Sequence, residues 1–214
     1  MTISVPRLDR SAVGERGITI ADFLVPIRVS EGIGVRLRHL ALILLGTLLI
    51  AGAAQVRFFI PGNPVPFTGQ TFAVLLAGGA LGFRRGIAAT GLYLLLGLVG
   101  LPVFANAQHG WQIVSGATGG YLVGFILAGA VVGRLAELGW DRNLRGAVGA
   151  MLIGDVAIFA IGVPWLALST GQPLDWAVAN GLTPFVGVET LKLALAAAAF
   201  PAAWWIVGRR PGDR

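Results

Sequence analysis

The chain has no cysteine, two histidines and a single lysine among its 214 residues. Without cysteine there can be no disulfide framework, no thiolate nucleophile and no cysteine-based metal site. Charged residues make up only 12% of the chain, whereas hydrophobic residues make up 56%. A soluble domain could not keep so much apolar surface away from water, so the composition predicts an integral membrane protein that lies in a lipid bilayer.

Two functional signatures are also missing. The chain has no G-x-x-x-x-G-K-[ST] phosphate loop and no H-E-x-x-H zinc motif. The sequence therefore predicts a chain that is not an enzyme and that binds no metal and no cofactor. The net charge of +6 is compatible with binding to nucleic acid. The arginines, however, lie between the apolar runs and do not form one basic face on a soluble domain. No nucleic-acid partner is expected.

The apolar runs predict six transmembrane spans, because about 20 apolar residues cross a bilayer as a helix. The first two spans cover about residues 40–56 and 68–83. The third and fourth lie between residues 86 and 133, where the polar segment 105–116 separates them. The last two cover about residues 147–168 and 184–207. The predicted fold class is thus an all-α integral membrane protein, with a six-helix bundle over residues 39–208. Residues 1–38 are predicted to be an N-terminal segment, either interfacial or disordered, and residues 209–214 a short tail.

Arginine placement predicts the orientation of this bundle. In a six-span topology, 14 of the 15 arginines fall on one side and only Arg57 falls on the other. Short cytoplasmic loops carry the excess of Arg and Lys. The sequence therefore predicts a multi-pass protein of the bacterial cytoplasmic membrane with both termini in the cytoplasm.

Small residues recur every four positions in two places, at Gly78, Gly82 and Gly86 and again over residues 116–128. Each set lies along one helix face and lets another backbone approach closely. Two interpretations remain open. The first set forms either a contact within the bundle or a docking face for a separate membrane partner.

The single lysine, Lys192, lies inside the last predicted span, three residues after Glu189. A charge in the middle of a membrane helix costs roughly 2.5–3.5 kcal/mol, so such residues usually mark a binding or transport site. Residues three apart share a helix face and can pair. Both are predicted to lie in the outer half of the span. A purely structural ion pair is the alternative, and Asp155, the only other acid within a span, fits either the site or the cytoplasmic end.

The predicted outer loops supply further candidate residues. Pro61, Pro64 and Pro66 rule out a helix before the second span. Non-helical backbone at membrane depth persists only when it is buried in protein or lines a cavity. Asn106 and Trp111, in another outer loop, suit amide recognition and ring packing. The sequence thus allows a binding cavity as well as plain surface loops.

Five motifs in order resemble the BioY family, the biotin-specific S components of energy-coupling-factor (ECF) transporters. They are PVPFTGQT (64–71), GLVGLPVFA (97–105), GATGGYLVGF (116–125), GVPWLAL (162–168), and PF followed by ETLK (184–192). The chain departs from the family pattern at Val188 and Glu189, where the family has Gly-Asp. It departs again after residue 105, where the family has a glycine-rich loop.

The resemblance implies a six-helix S component that binds biotin from outside and works with a transmembrane coupling subunit and ATPase subunits, which alone would use ATP. It implies that Glu189 accepts hydrogen bonds from the ureido N–H groups of biotin and that Lys192 donates to the ureido oxygen. Asn106 and Gln70 assist, and Tyr93 and Trp111 contact the bicyclic ring. The reverse orientation, with Lys192 on the valerate carboxylate, remains open.

Three functional alternatives also remain. A self-sufficient or proton-coupled vitamin carrier would need no ATPase partner. An intramembrane enzyme would need a catalytic cluster, but His39 and His109 fall on opposite sides of the predicted topology. A structural scaffold would bind no vitamin. The sequence leaves homo-oligomer formation open.

Overall fold

The computed structural model describes residues 19–24, 32–58 and 61–208, and this part of the chain is almost entirely helical. The predicted tail 209–214 and most of the predicted N-terminal segment lie outside the described residues. The α-helices are α1 (Ile20–Leu24), α2 (Gly32–Gln55), α3 (Gln70–Leu81), α4 (Phe83–Leu98), α5 (Trp111–Ser115), α6 (Gly119–Glu137), α7 (Leu144–Thr170), α8 (Leu174–Gly181) and α9 (Val186–Gly208). Two short strands, β1 (Arg57–Phe58) and β2 (Phe67–Thr68), pair antiparallel.

Four stretches of the described chain are long and apolar enough to cross a membrane. They are Gly34–Gln55, Gly119–Glu137, Leu144–Thr170 and Leu174–Ile206. The second and third predicted spans correspond to α3 and α4, which have 12 and 16 residues and are shorter than the usual 20. The protein is therefore a multi-pass helical membrane protein, while the count of six spans stays a prediction.

α3 and α6 form the centre of the helix arrangement. α6 contacts α3, α4 and α7, α2 covers α3 and α4, and α9 packs on α7 and α3. The chain turns between α3 and α4 at the single residue Gly82, which has a φ of 82°. This conformation is costly for any residue with a Cβ atom. The two helices can follow each other without a loop because glycine stands at this position.

The glycine face predicted from the four-residue spacing is buried inside the chain. A Cβ atom at Gly78 or Gly86 would lie 3.0 Å or 2.8 Å from the backbone oxygen of Gly129 on α6. At Gly82, a Cβ atom would lie 2.8 Å from a carboxylate oxygen of Glu137. The geometry favours the intramolecular interpretation, and this face offers no exposed surface for a docking partner.

A matched pair of substitutions on α4 tests this packing. We expect Gly86→Ala to lower the free energy of unfolding by about 1–3 kcal/mol, because the added methyl meets backbone that cannot rotate away. Gly91→Ala adds the same methyl where no atom lies within 4 Å, and we expect it to be neutral or stabilising. The measurement is thermal unfolding of both purified variants in detergent. Equal melting temperatures would contradict the packing and would reopen the docking interpretation.

The helix ends form two chemically different faces. The arginine-rich end comprises the start of α2, the α3–α4 turn, the segment 138–143 between α6 and α7, and the end of α9. The loop end comprises residues 56–58, 61–69, 99–118 and 171–185. Helix directions alternate, so Lys192 and Glu189, which follow the start of α9, lie on the side of the loop end.

A cluster of charged and polar side chains holds α1 against the arginine-rich end. This cluster, called the Asp22 cluster below, consists of Thr19, Asp22, Arg38 and Arg85. Asp22 pairs with Arg38 at 3.2 Å and with Arg85 at 2.9 Å, and Thr19 donates to it through both its backbone N–H and its hydroxyl. Burial raises the pKa of Asp22, but its hydrogen bonds and the positive charge of Arg85 outweigh burial and bring it below the usual value. Within the predicted N-terminal segment, residues 20–24 thus form a docked helix, and residues 32–38 form the first turns of α2.

A second polar contact joins the segment between α6 and α7 to α9. Asp141 is 1% exposed and accepts a hydrogen bond of 2.7 Å from the indole N–H of Trp204. The guanidinium of Arg142 lies 4.5 Å from the centre of the same indole ring. Burial raises the pKa of Asp141 to about 6, although Trp204 and Arg142 both act to lower it.

This raised pKa predicts a pH-dependent stability. Between pH 3.8, the ordinary pKa of the side chain, and about 6, the folded protein binds the Asp141 proton more tightly than the unfolded chain does. Asp141 therefore lowers the free energy of unfolding as pH rises through this window, by roughly 3 kcal/mol in total. Asp141→Asn keeps an acceptor for Trp204 but cannot titrate. We expect melting curves from pH 4 to 7 to show a shallower pH slope for this variant, and parallel slopes would contradict the prediction.

Candidate functional site

The two charges of the last helix form a closed hydrogen-bonded group with the start of α3. The Lys192 ammonium donates to Oε1 of Glu189 at 2.6 Å, to the backbone oxygen of Thr68 at 2.5 Å and to the hydroxyl of Thr71 at 3.1 Å. The Thr71 hydroxyl in turn donates to Oε2 of Glu189 at 2.7 Å. All three ammonium hydrogens and both carboxylate oxygens therefore have partners, which offsets much of the cost of burying two charges.

Local backbone structure brings these groups together. β2 ends at Thr68 and α3 begins at Gln70, so the carbonyl of Thr68 and the side chain of Thr71 both point at α9. Gly69 between them lies so close to α2 that a Cβ atom would be 2.9 Å from the backbone oxygen of Ala53. A larger residue here would push the strand end away from Lys192.

An inner cavity of about 50 Å³ lies beside this group. Its polar wall includes Glu189, Thr71 and Thr118, and its apolar wall includes the rings of Tyr121, Phe159 and Phe185. The Phe185 ring stacks on Phe67 at 4.1 Å. Glu189 faces the cavity, whereas Lys192 is not among its lining residues and lies behind Glu189 and Thr71. The mixed polar and aromatic lining is typical of a site for a small organic ligand.

Gln70 connects the inner cavity to a wider outer one. It is 6% exposed, donates to the hydroxyl of Tyr93 at 2.6 Å and accepts from the hydroxyl of Thr68 at 2.9 Å. Tyr93 is 1% exposed, lines neither cavity and makes an edge-on contact with Phe104. Tyr93 is therefore placed to orient Gln70 and does not itself face a ligand in this conformation.

The outer cavity, of about 290 Å³, opens at the loop end. It shares Pro66, Gln70 and Thr118 with the inner cavity and adds the amides of Gln108 and Gln112. The proline-rich segment thus lines a cavity, as one of the two interpretations of the sequence predicts. The outer cavity, with its added glutamine amides, and the aromatic inner cavity share lining residues and therefore lie next to each other between the loop end and Glu189.

The remaining two predicted site residues lie at the rim of the outer cavity. Asn106 is exposed, has a φ of 64° and accepts a hydrogen bond from Arg57. Gln55 holds the same loop by donating to the backbone oxygen of Phe104 and accepting from the N–H of Ala107. Trp111 is 68% exposed. Neither Asn106 nor Trp111 lines a cavity, although their neighbours do.

Asp155 on α7 lies near the charged pair. It is close enough to interact electrostatically with both Glu189 and Lys192, so its place is beside the site. Its Oδ1 atom is buried and has no hydrogen-bond partner in the described part of the chain. The three hydrogens of Lys192 are already used by other acceptors.

The structure adds several cavity residues that were not singled out from the sequence. Thr71 belongs to the motif PVPFTGQT, and its neighbour Gln70 was selected, so its motif position was an available signal. Tyr121 likewise belongs to the motif GATGGYLVGF, whereas Phe159 had no such signal, because an aromatic residue in a membrane helix faces lipid, a neighbouring helix or a cavity with the same sequence pattern. Their place became visible only when α6 and α7 were packed against each other, with the two rings 5.8 Å apart.

The comparisons with known proteins agree with one another. The BioY family model matches residues 27–209. The chain is 41% identical over 151 residues to the biotin transporter BioY of Thermotoga maritima, covering 71% of this chain and 86% of the relative. It is 38% identical over 165 residues to the biotin transporter BioY2 of Lactococcus lactis, covering 75% of this chain and 86% of that protein.

A solved structure gives the same result for the fold. The crystal structure at 2.1 Å of the S-component for biotin from an ECF-type ABC transporter superposes with a TM-score of 0.73. The alignment covers 81% of this chain and 94% of that chain, at 24% sequence identity, so the likeness establishes a shared fold. The family match over residues 27–209 and the 41% identity to the Thermotoga maritima protein show that this chain belongs to the BioY family.

Proposed function

We infer that this chain binds biotin and mediates its uptake as the substrate-specific component of an ECF transporter. The observation that carries this conclusion is the inner cavity, where a buried carboxylate and hydroxyl face aromatic rings in a chain of the BioY family. The members of this family reported above are biotin transporters, and none is named as an enzyme.

The chemistry of biotin matches the residues that line the two cavities. Its ureido group carries two N–H donors, and Glu189 is the ionised acceptor in the inner cavity. The bicyclic ring then lies among Tyr121, Phe159 and Phe185. The valerate carboxylate extends to the outer cavity. Amide groups and water there lower the free-energy cost of removing an ionised carboxylate from bulk solvent. Lys192 holds Glu189 in place and reaches the ureido oxygen by exchanging one of its present acceptors.

The other predicted contacts enter this proposal with different roles. Gln70 contacts ligand at the junction of the cavities, and Tyr93 orients Gln70. Asn106 and Trp111 contact biotin when the rim loop folds inward over the outer cavity. The reverse orientation places the valerate carboxylate against Lys192 and the ureido group at the rim.

The chain carries no phosphate loop, so ATP hydrolysis in an ECF transporter belongs to the partners of this chain. We propose a transmembrane coupling subunit and ATPase subunits, with biotin as the transported substrate and no resident cofactor. The proposed topology has six spans and both termini in the cytoplasm of a bacterium, which places the outer cavity outside the cell.

Calorimetry of the purified full chain with biotin tests the proposal. We expect saturable one-to-one binding at micromolar or lower biotin. Biotin methyl ester serves as the orientation control, because it keeps the ureido group and removes the valerate charge. Retained ester binding supports Glu189 as the ureido acceptor, and selective loss of ester binding supports the reverse orientation. Absence of biotin binding would refute the proposed function.

A further inference from the structure

A third cavity lies far from the site, in the side of the bundle. It is a groove of about 270 Å³ between α2, α3 and α9, and every lining residue is apolar. Leu45 and Leu49 on its α2 wall are 64% and 46% exposed, so the groove opens sideways, toward the bilayer. Phe200 of α9 and Ala80 of α3 line the other walls.

The groove leads to the Asp22 cluster at the arginine-rich end. Ile20 of α1 lines the groove, and the next residue, Ala21, accepts a hydrogen bond of 3.1 Å from Arg38. Arg38 also precedes the groove residues Leu42, Leu45 and Leu49 by four, seven and eleven positions, so it lies on the same face of α2.

Arg38 has unused hydrogen-bonding capacity in this position. The residue is 8% exposed, and its Nη2 atom donates to Ala21 and Asp22. Its Nε and Nη1 atoms are buried and have no partner among residues 19–24, 32–58 and 61–208. A buried guanidinium N–H without an acceptor is costly. Asp22 cannot serve it further, because Arg85 and Thr19 already occupy its oxygens.

The net charge of the Asp22 cluster indicates that an acceptor for the Arg38 donors would be anionic. Arg38 and Arg85 contribute two positive charges and Asp22 contributes one negative charge, which leaves a net charge of +1. The path from Arg38 to Leu49 spans eleven residues, or about 16 Å of helix. This length is close to half of the roughly 30 Å hydrocarbon core, which is one leaflet.

We propose that this groove is a binding site for an anionic phospholipid of the arginine-rich side of the membrane. The phosphate accepts from the free Arg38 donors, and one acyl chain lies in the groove between α2, α3 and α9. The headgroup reaches these donors by displacing the side chains that cover them at the end of the groove. The site is separate from the biotin cavities and does not depend on the proposed transport function.

Thermal unfolding of the full chain in a non-ionic detergent, titrated with phosphatidylglycerol, tests the site. We expect phosphatidylglycerol to raise the melting temperature more than phosphatidylcholine does. Arg38→Gln should require roughly tenfold more phosphatidylglycerol for the same shift, in proportion to one lost charged hydrogen bond. Arg36→Gln is the matched control, since it removes the same charge from an exposed position two residues away and should titrate like the unmodified chain.

Two further variants keep the test decisive. Arg38→Lys retains the charge and loses the planar array of donors, so it should also titrate weakly, and it replaces Arg38→Gln if that variant does not fold. Ala80→Phe fills the groove and should weaken the response to phosphatidylglycerol. The proposal is overturned by an equal response in the Arg36 and Arg38 variants, by equal shifts from both lipids, or by an equal shift from inorganic phosphate alone.

Discussion

Replacing Lys192 with Met is expected to weaken biotin binding roughly a hundredfold and to lower the free energy of unfolding by about 3–5 kcal/mol. The physical reason is the burial of Glu189, which is 5% exposed and would keep only the hydrogen bond from Thr71. The ammonium would no longer tie α9 to the backbone of Thr68. Calorimetry gives the affinity, and thermal unfolding without biotin gives the stability.

A double variant separates a ligand site from a structural ion pair. Glu189→Gln combined with Lys192→Met removes both charges and leaves an amide that accepts from Thr71. We expect it to recover most of the lost stability, because no unpaired charge stays buried, but to remain defective in biotin binding. Recovery of both properties would show that the pair only joins α9 to α3. Thr190→Ala, which removes an exposed hydroxyl between the two residues, should change neither property.

Replacing Asp22 with Ala is expected to lower the free energy of unfolding by about 3 kcal/mol and to detach α1 from the bundle. Arg38 and Arg85 have side chains that are only 7% and 13% exposed, and the substitution would leave both without their shared carboxylate. Removing one partner of a buried pair costs far more than the pair contributes, because the remaining charge stays desolvated. Thermal unfolding measures the loss, and limited proteolysis measures the release of α1.

The control for this prediction is an ion pair with little burial. Arg134 pairs with Glu137 at 3.0 Å, but its side chain is 62% exposed. We expect Arg134→Ala to cost at most about 1 kcal/mol. Similar losses in the Asp22 and Arg134 variants would mean that the Asp22 cluster does not hold α1 in place.

The departure of this chain from the family motif has a local explanation. Glu189 stands where the resemblance leads one to expect Asp, and its longer side chain still reaches Lys192 at 2.6 Å and Thr71 at 2.7 Å. Val188, in place of Gly, is partly buried against the hydrophobic core. The substituted pair therefore keeps the charge and its partners while filling space beside α9.

The sequence alone could indicate the charged pair, because a lysine and a glutamate in an apolar helix have few explanations other than a site or a structural pair. It could also indicate the glycine face, since small residues every four positions lie on one side of a helix. It could not decide the roles of Tyr93, Asn106 and Trp111. Whether an aromatic or amide side chain faces a cavity depends on the rotation of its helix and on the path of its loop.

Hydropathy, arginine placement and the isolated lysine determined by themselves that this is a helical membrane protein with a charged pair in its last helix. These are properties of single segments, because the free-energy cost of burying a charge or exposing an apolar surface depends on the residues of one segment. The tertiary structure decided that Glu189 faces the cavity while Lys192 stands behind it, and that the glycine face is closed by α6. Both depend on which residues distant in sequence meet, here Thr68 and Thr71 with α9 and Gly129 with Gly78 and Gly86, and no single segment carries that information.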